Sequence, residues 1–309
     1  MKTRNLSLHR IAALALVAVL LVLPDPAAGQ SLEPRKFANL PVGMNFLLAG
    51  YGRSSGPVLF DPSVPLEDAS LETDIAVLGY ARGINVFGRS GSVSAAASYV
   101  GTRGNALLEG ERAYGKNYGL ADPTFRASVN LLGAPALSPA EYRSWQHDLI
   151  VGVGLLVQAP FGDYERNKVL TIGTNRWLFR PELGMSKVFG RWQLELVGTV
   201  SFFTDNDEPR SGDTLSQDPL YAIRGHLIYN FPRGRWLSLD ATHYQGGEQE
   251  IDGARQAGTQ RNGRYGLTLS TPLGPADSVK FYASTGAYAR LGGDFDLFGI
   301  AWQHRWASR

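Results

Sequence analysis

From residue 42 onward, apolar and polar side chains alternate in windows of about ten residues. The clearest window is 220–231, where Tyr221, Ile223 and Leu227 occupy alternate positions and Arg224 and His226 lie between them. A period of two residues places successive side chains on opposite faces of a β-strand. Similar windows recur along the chain and predict about 12 strands, with almost no helix.

The faces opposite the apolar ones carry charged side chains, which separates two classes of β protein. A soluble β-sandwich buries an apolar face, and charged residues are rarely found there. A membrane barrel turns its apolar side chains toward lipid and its polar side chains toward the lumen. The mean hydropathy of −0.14 is compatible with a barrel, because only every second strand residue must be apolar. The sequence therefore predicts an all-β fold, a single antiparallel transmembrane β-barrel of the outer-membrane type.

Aromatic residues collect at the ends of the windows, as they do in the interfacial belts of membrane barrels. They are Tyr51, Tyr99, Trp177, Trp192, Phe202, Phe231, Trp236, Tyr244, Trp302 and Trp306.

The connections between windows alternate in length, which is a second signature of outer-membrane barrels. Tight turns are predicted at 88–91, 189–191, 232–234 and 274–277, and long external loops at 53–70, 102–119, 160–173, 205–218 and 247–260. The connection 133–146 contains Ser138, Pro139 and Glu141 in the order of a capping box. One short helix on the periplasmic side is therefore expected near 138–146.

The N-terminus has the layout of a secretory signal peptide. Lys2, Arg4 and Arg10 precede an apolar run at 11–23, and small residues follow at 27–29. Such a run is too short for a good transmembrane helix. We expect residues 1–29 to be a cleaved signal, 30–40 a short periplasmic segment, and 41–309 the barrel domain. A retained N-terminal anchor is the alternative.

Within a strand, residues at odd positions lie on one face and residues at even positions on the other, and we call this property parity. The parity opposite to the apolar residues predicts which charged side chains line the lumen. This set is Arg82, Arg126, Arg180, Glu182, Glu195, Arg224, His226, Asp240, Arg264, Lys280, Arg290 and Arg305. Basic groups outnumber acidic ones, and a wall rich in arginine favours anions in a pore. The same charges can instead brace the wall by pairing with one another, and the sequence leaves both interpretations open.

The composition excludes several kinds of site. The chain contains no cysteine, so neither disulfides nor thiolate metal ligands are available. The net charge of +2 gives no indication of a nucleic-acid partner. No motif indicates a cofactor or a bound metal. One catalytic hypothesis remains, in which His226 acts as a base beside Ser238 and Asp240 on the neighbouring strand.

Six segments resemble a known family. They are ANLPVGMNF at 38–46, LFDPS at 59–63, NLLGAPALSP at 130–139, GTNRW at 173–177, QDPLY at 217–221 and AWQ at 301–303. In this order they are similar to the family of outer-membrane transporters associated with the meta-cleavage pathway of phenol degradation. The resemblance covers nearly all of the chain after the signal. It implies an integral outer-membrane location and a transport role, and it implies no catalytic residues.

Together these features predict an outer-membrane channel that passes small solutes through a narrow lumen. Aromatic compounds and small anions are the candidate classes. The expected partners are the lipid bilayer, the solute and the barrel-assembly machinery during biogenesis. The alternatives are a structural or interaction barrel with a plugged lumen and, as a third hypothesis, an outer-membrane enzyme.

Overall fold

The computed structural model describes residues 33–59, 66–108, 111–168, 170–209, 214–255, 258–289 and 292–308. Within these ranges almost all of the regular structure is β-strand. The strands are β1 Met44–Leu59, β2 Leu66–Val86, β3 Arg89–Leu108, β4 Glu111–Leu120, β5 Thr124–Leu132, β6 Leu149–Gln158, β7 Leu178–Phe189, β8 Trp192–Phe203, β9 Leu215–Gln217, β10 Leu220–Asn230, β11 Trp236–Gly246, β12 Gln249–Ile251, β13 Ala254–Arg255, β14 Gln260–Pro272, β15 Asp277–Ala289, β16 Gly292–Gly293 and β17 Asp296–Ala307.

The main sheet closes on itself as an antiparallel barrel. β1 pairs with β2 on one side and with β17 on the other, so Met44 lies opposite Ala307. The order around the wall is β1, β2, β3, β5, β6, β7, β8, β10, β11, β14, β15 and β17. β4 continues the position of β5, because both pair with β3 at different heights. The prediction of an all-β barrel of 12 strands is confirmed.

The wall is apolar outside and polar inside. On β8, Gln193, Glu195 and Ser201 are buried, whereas Trp192 and Phe202, next to the first and the last of them on the alternate face, are exposed. From Trp192 to Phe202 the strand rises about 33 Å, or about 25 Å along the axis at the usual tilt. That height matches the apolar band of an outer-membrane barrel. Exposed aromatic and aliphatic side chains on this outer face are therefore the lipid contact rather than a packing defect.

Aromatic side chains form a belt near the short turns. The rings of Trp192 and Tyr229 lie 4.8 Å apart, and His304 stacks between Trp302 and Trp306 at 5.9 and 5.7 Å. The belt at the other end contains Phe161, Trp177 and Phe179. Two residues assigned to the belts from the sequence, Trp236 and Tyr244, instead point inward, because they share the parity of Asp240 on β11.

The short connections fall at one end of the barrel, as predicted. The strands adjoin there at 87–88 and 190–191, and a single 3-10 turn occupies Pro232–Gly234. The helix expected near 138–146 is a 3-10 turn at Glu141–Arg143. Its capping box is formed, since the Ser138 backbone N–H and hydroxyl donate to the Glu141 carboxylate at 2.8 and 2.7 Å. No helix among the described residues is long and apolar enough to span a membrane.

Two of the predicted external loops are wrong, because much of 53–70 and 102–119 is strand. β1 to β4 extend beyond the apolar band as a polar ribbon. Its outer face is joined by ion pairs, with Arg53 and Arg103 at 2.9 and 2.5 Å from the Glu72 carboxylate. Outside the lipid layer a strand needs no apolar face, so the alternation that revealed the other strands is absent here.

Candidate functional site

The lumen holds nine of the twelve side chains predicted to line it. They are Arg126, Arg180, Glu182, Glu195, Arg224, His226, Asp240, Arg264 and Lys280, all on the inward parity of their strands. Arg82 instead is exposed and lies on the outer face of β2 with Leu78 and Tyr80. Arg305 is exposed at the turn end, where its guanidinium donates to the carbonyl of Pro275. Arg290 lies outside the described residues.

An N-terminal segment, residues 33–41, runs into the barrel before β1 begins. Phe37 is 3% exposed, and its ring lies on two glycines of the inner wall, Gly152 and Gly184. A Cβ at Gly184 would stand 2.1 Å from the ring, so only glycine leaves room for it. The Arg126 guanidinium covers the ring at 5.1 Å. Residues 30–40 are predicted from the sequence to be periplasmic. The part of this span that the structure describes, residues 33–40, lies against the inner wall.

Ion pairs hold the segment on both sides of Phe37. Lys36 Nζ lies 2.8 Å from the Glu182 carboxylate, which also accepts from Arg126 Nε at 2.8 Å. The Arg35 backbone N–H donates to Glu195 at 2.5 Å. Burial lowers the pKa of Lys36 to about 8, although the neighbouring Glu182 charge opposes this shift. Segment and wall thus share one charged network.

Glu33 and Leu40 attach the ends of the segment to other parts of the wall. Lys280 Nζ on β15 lies 3.2 Å from the Glu33 carboxylate. The Leu40 N–H and carbonyl bond the Ser90 hydroxyl at the start of β3, both at 3.1 Å. Phe37 packs on β6 and β7, which lie across the barrel from β15, where Glu33 is bound. The segment therefore crosses the lumen rather than following one strand.

Asp240 forms the centre of a second polar network. Its carboxylate accepts from Ser238 at 2.5 Å and Thr268 at 2.8 Å, and it lies 2.7 Å from His226 Nδ1. A nucleophilic serine must bond the histidine, with the acid on the other side of the ring. Here Ser238 and His226 contact the same Asp240 oxygen instead. The arrangement braces β10, β11 and β14 and does not have the geometry of an activated serine.

The external end of the lumen is narrowed by the connection between β6 and β7. Its backbone is fastened to Asp122, which accepts from the N–H of Gly162 and of Thr174 at 2.8 Å each. Leu170 and Ile172 are buried, and Ile172 packs on Val100 of β3. The connection is therefore folded inward against the polar ribbon rather than extended into solvent.

Sequence reasoning missed the segment contacts. Arg35, Lys36 and Phe37 precede the first alternating window, so no parity rule applied to them. The one available signal was the pair of inward glycines, Gly152 and Gly184, which face each other across β6 and β7. Their missing side chains mark a place where another group approaches the wall closely.

The closed wall, its apolar band and its charged interior define an integral protein of the outer membrane. The chain belongs to the family described as "Putative MetA-pathway of phenol degradation", whose model matches residues 57–294. No curated protein matches the chain.

Many solved structures are similar to this chain, and two of them illustrate the shared fold. An outer membrane channel from Pseudomonas putida F1 is 21% identical, with a TM-score of 0.75, over 89% of this chain and 100% of that one. The transport unit of the autotransporter AIDA-I from Escherichia coli is 11% identical, with a TM-score of 0.53, over 93% of this chain and 96% of that one.

Proposed function

We propose that this protein is an outer-membrane channel through which small solutes pass passively. The observation that carries the proposal is a closed barrel of 12 strands with a polar, charged interior. Pairing within the wall accounts for part of this charge, as at Glu182, but the inward bases outnumber the inward acids, and a buried charge is unfavourable unless it is paired or used. The family and the fold shared with a channel from Pseudomonas putida F1 support the same function.

The size of the barrel favours small solutes. Barrels of about 8 strands are filled by side chains, whereas 16–18 strands enclose a wide aqueous channel. This barrel lies between those sizes, and the segment 33–41 narrows it further. The predicted inward bases Arg126, Arg180, Arg224, Arg264 and Lys280 outnumber the acids Glu182, Glu195 and Asp240. We therefore favour small anions over cations, and aromatic compounds remain a candidate class through the family.

One observation favours a second candidate, a barrel whose lumen stays plugged and which acts through its external surface. The segment is anchored by a buried aromatic ring and by two buried wall carboxylates, Glu182 and Glu195. In either case we infer insertion by the barrel-assembly machinery and a lipid environment. Catalysis by His226 is not proposed, because Ser238 bonds Asp240 instead.

Planar-bilayer recording of the refolded chain separates these candidates. We expect discrete current steps, and in a salt gradient we expect a reversal potential whose sign shows selectivity for anions. A variant that lacks residues 33–40 should conduct more per step or stay open longer, since the lumen loses its crossing segment. Silence from both proteins, with barrel structure verified by circular dichroism, would exclude the channel and favour the plugged barrel.

A further inference from the structure

Three buried polar groups on β11 and β14 point into the lumen without protein partners. Arg264 Nη1, Thr242 Oγ1 and Tyr244 Oη accept or donate no hydrogen bond among the described residues. Their residues are 3%, 4% and 3% exposed. We propose that Arg264, Thr242 and Tyr244 form a binding site for the carboxylate of a small organic acid.

Arg264 is the cation of this site. Its Nη2 donates to the Ser284 hydroxyl at 3.1 Å and to the Phe295 carbonyl at 2.7 Å. The Phe295 ring lies over the guanidinium at 3.9 Å. Among the described residues no carboxylate lies within 4.0 Å of Arg264, whereas Arg126 has Glu182 at 2.8 Å. The charge of Arg126 is thus compensated by the protein, and that of Arg264 is held by neutral groups.

The two hydroxyls are placed beside this charge by the strand register. Thr242 lies directly opposite Arg264 on the neighbouring strand. Directly opposite residues of an antiparallel pair have Cβ atoms about 5 Å apart. Tyr244 is two residues further along β11 on the same face, within electrostatic range of the guanidinium. One guanidinium N–H and two hydroxyls therefore lie along one stretch of the inner wall.

This donor set selects a carboxylate. A carboxylate only accepts hydrogen bonds, and it would neutralise Arg264 while satisfying both hydroxyls. A neutral hydroxyl compound would leave the buried guanidinium without a directly paired carboxylate, which is costly. Asp294 and Asp296 are also within electrostatic range of Arg264, and Asp294 sits over Gly286, the residue opposite Arg264. These acids lower the affinity but lie beyond ion-pair distance.

The site deepens the proposed function by naming a substrate class, and it rests on that function for the route into the lumen. Its occupancy can be measured without transport. The Tm of the full barrel in detergent is measured at increasing concentrations of sodium acetate or sodium benzoate. Sodium chloride at equal ionic strength is the salt control, and phenol is the neutral comparison. The carboxylates should raise Tm in a saturable way, and phenol should not.

Variants that remove a single hydroxyl test the site while keeping the Arg264 charge in place. Thr242→Val and Tyr244→Phe should each weaken carboxylate affinity about tenfold, because hydrogen bonds to charged groups are strong. They should leave Tm without ligand unchanged, since the lost hydroxyls have no protein partner. Thr268→Val is the matched control, because its hydroxyl donates to Asp240. It should lower Tm and leave the affinity unchanged. Arg264→Gln should abolish binding, and Asp294→Asn should strengthen it.

The outcomes also separate this site from the channel. Conduction without any carboxylate-dependent rise in Tm would overturn the site and leave the channel standing. Saturable binding that depends on Thr242 and Tyr244, in a barrel that does not conduct, would support the site and reject the channel. A lower Tm of Thr242→Val and Tyr244→Phe, with unchanged affinity for the carboxylate, would show that water satisfies these hydroxyls. That result would also overturn the site.

Discussion

Truncation of Phe37 should release the segment 33–41 from the lumen. Burial of a phenylalanine side chain contributes about 1.5–3 kcal/mol. The contact with the Arg126 guanidinium adds about 0.5–2 kcal/mol. For Phe37→Ala we therefore expect the docked state to lose about 3 kcal/mol, which shifts the ratio of docked to undocked segment about 100-fold.

The assay combines conductance with chemical accessibility. The chain has no cysteine, so a single Ala38→Cys substitution reports on the segment alone. In Phe37→Ala this cysteine should react faster with a maleimide, and the open fraction of the channel should rise. Phe87→Ala is the matched control, because Phe87 is fully exposed at the turn between β2 and β3.

Equal labelling rates and equal open fractions in Phe37→Ala, Phe87→Ala and the parent would refute this reasoning. The segment would then be held by its ion pairs alone. A rise in labelling without a rise in conductance would show instead that the segment leaves and something else blocks the lumen.

Gly184→Ala should also expel Phe37 and raise the open fraction, whereas Gly198→Ala, whose Cβ meets nothing within 4 Å, should not. Asp122→Asn should loosen the connection between β6 and β7, with trypsin cutting after Arg166 at least about tenfold faster; Asp205→Asn, in another external loop, should leave the rate unchanged. The docked segment binds fewer protons than the free one between pH 8 and 10.5, because burial lowers the pKa of Lys36 from 10.5 to about 8. Raising the pH through that window should therefore favour docking and lower the open fraction, and Lys36→Gln should abolish this dependence.

The wall could be derived from the sequence because one rule governs it. Wherever a strand crosses lipid, the alternation decides which side chain faces the lumen, so the sequence predicts that Glu195 and Asp240 face inward, and both are buried in the structure. The prediction that Arg82 faces inward fails because the lipid rule no longer applies at its height. This residue lies near the turn end of β2, where the outer face has left the apolar layer and tolerates a charge. The polar ribbon of β1 to β4 escaped detection because its outer face meets water instead of lipid and therefore carries charged side chains such as Arg53, Glu72 and Arg103.

The partners of the inward charges could not be derived. Parity names the face of a strand but not the height at which distant strands meet. Arg180 and Glu182 are close in sequence, yet Arg180 donates to Ser201 and Glu182 binds Arg126 and Lys36. Lys36 lies outside any strand. Only the folded chain shows that Glu182 joins the wall to the segment.

The closure of β1 on β17 has a consequence for assembly. Met44 meets Ala307, so the seam joins parts of the chain that are far apart in sequence and forms slowly relative to local hairpins. The segment 33–41 is attached directly to the first strand of that seam. It must therefore be inside when the cylinder shuts, or thread in afterwards through the turn end. Barrels closed around an empty lumen would share every strand pairing with the native protein, and the two populations would differ in their electrical behaviour rather than in their circular dichroism.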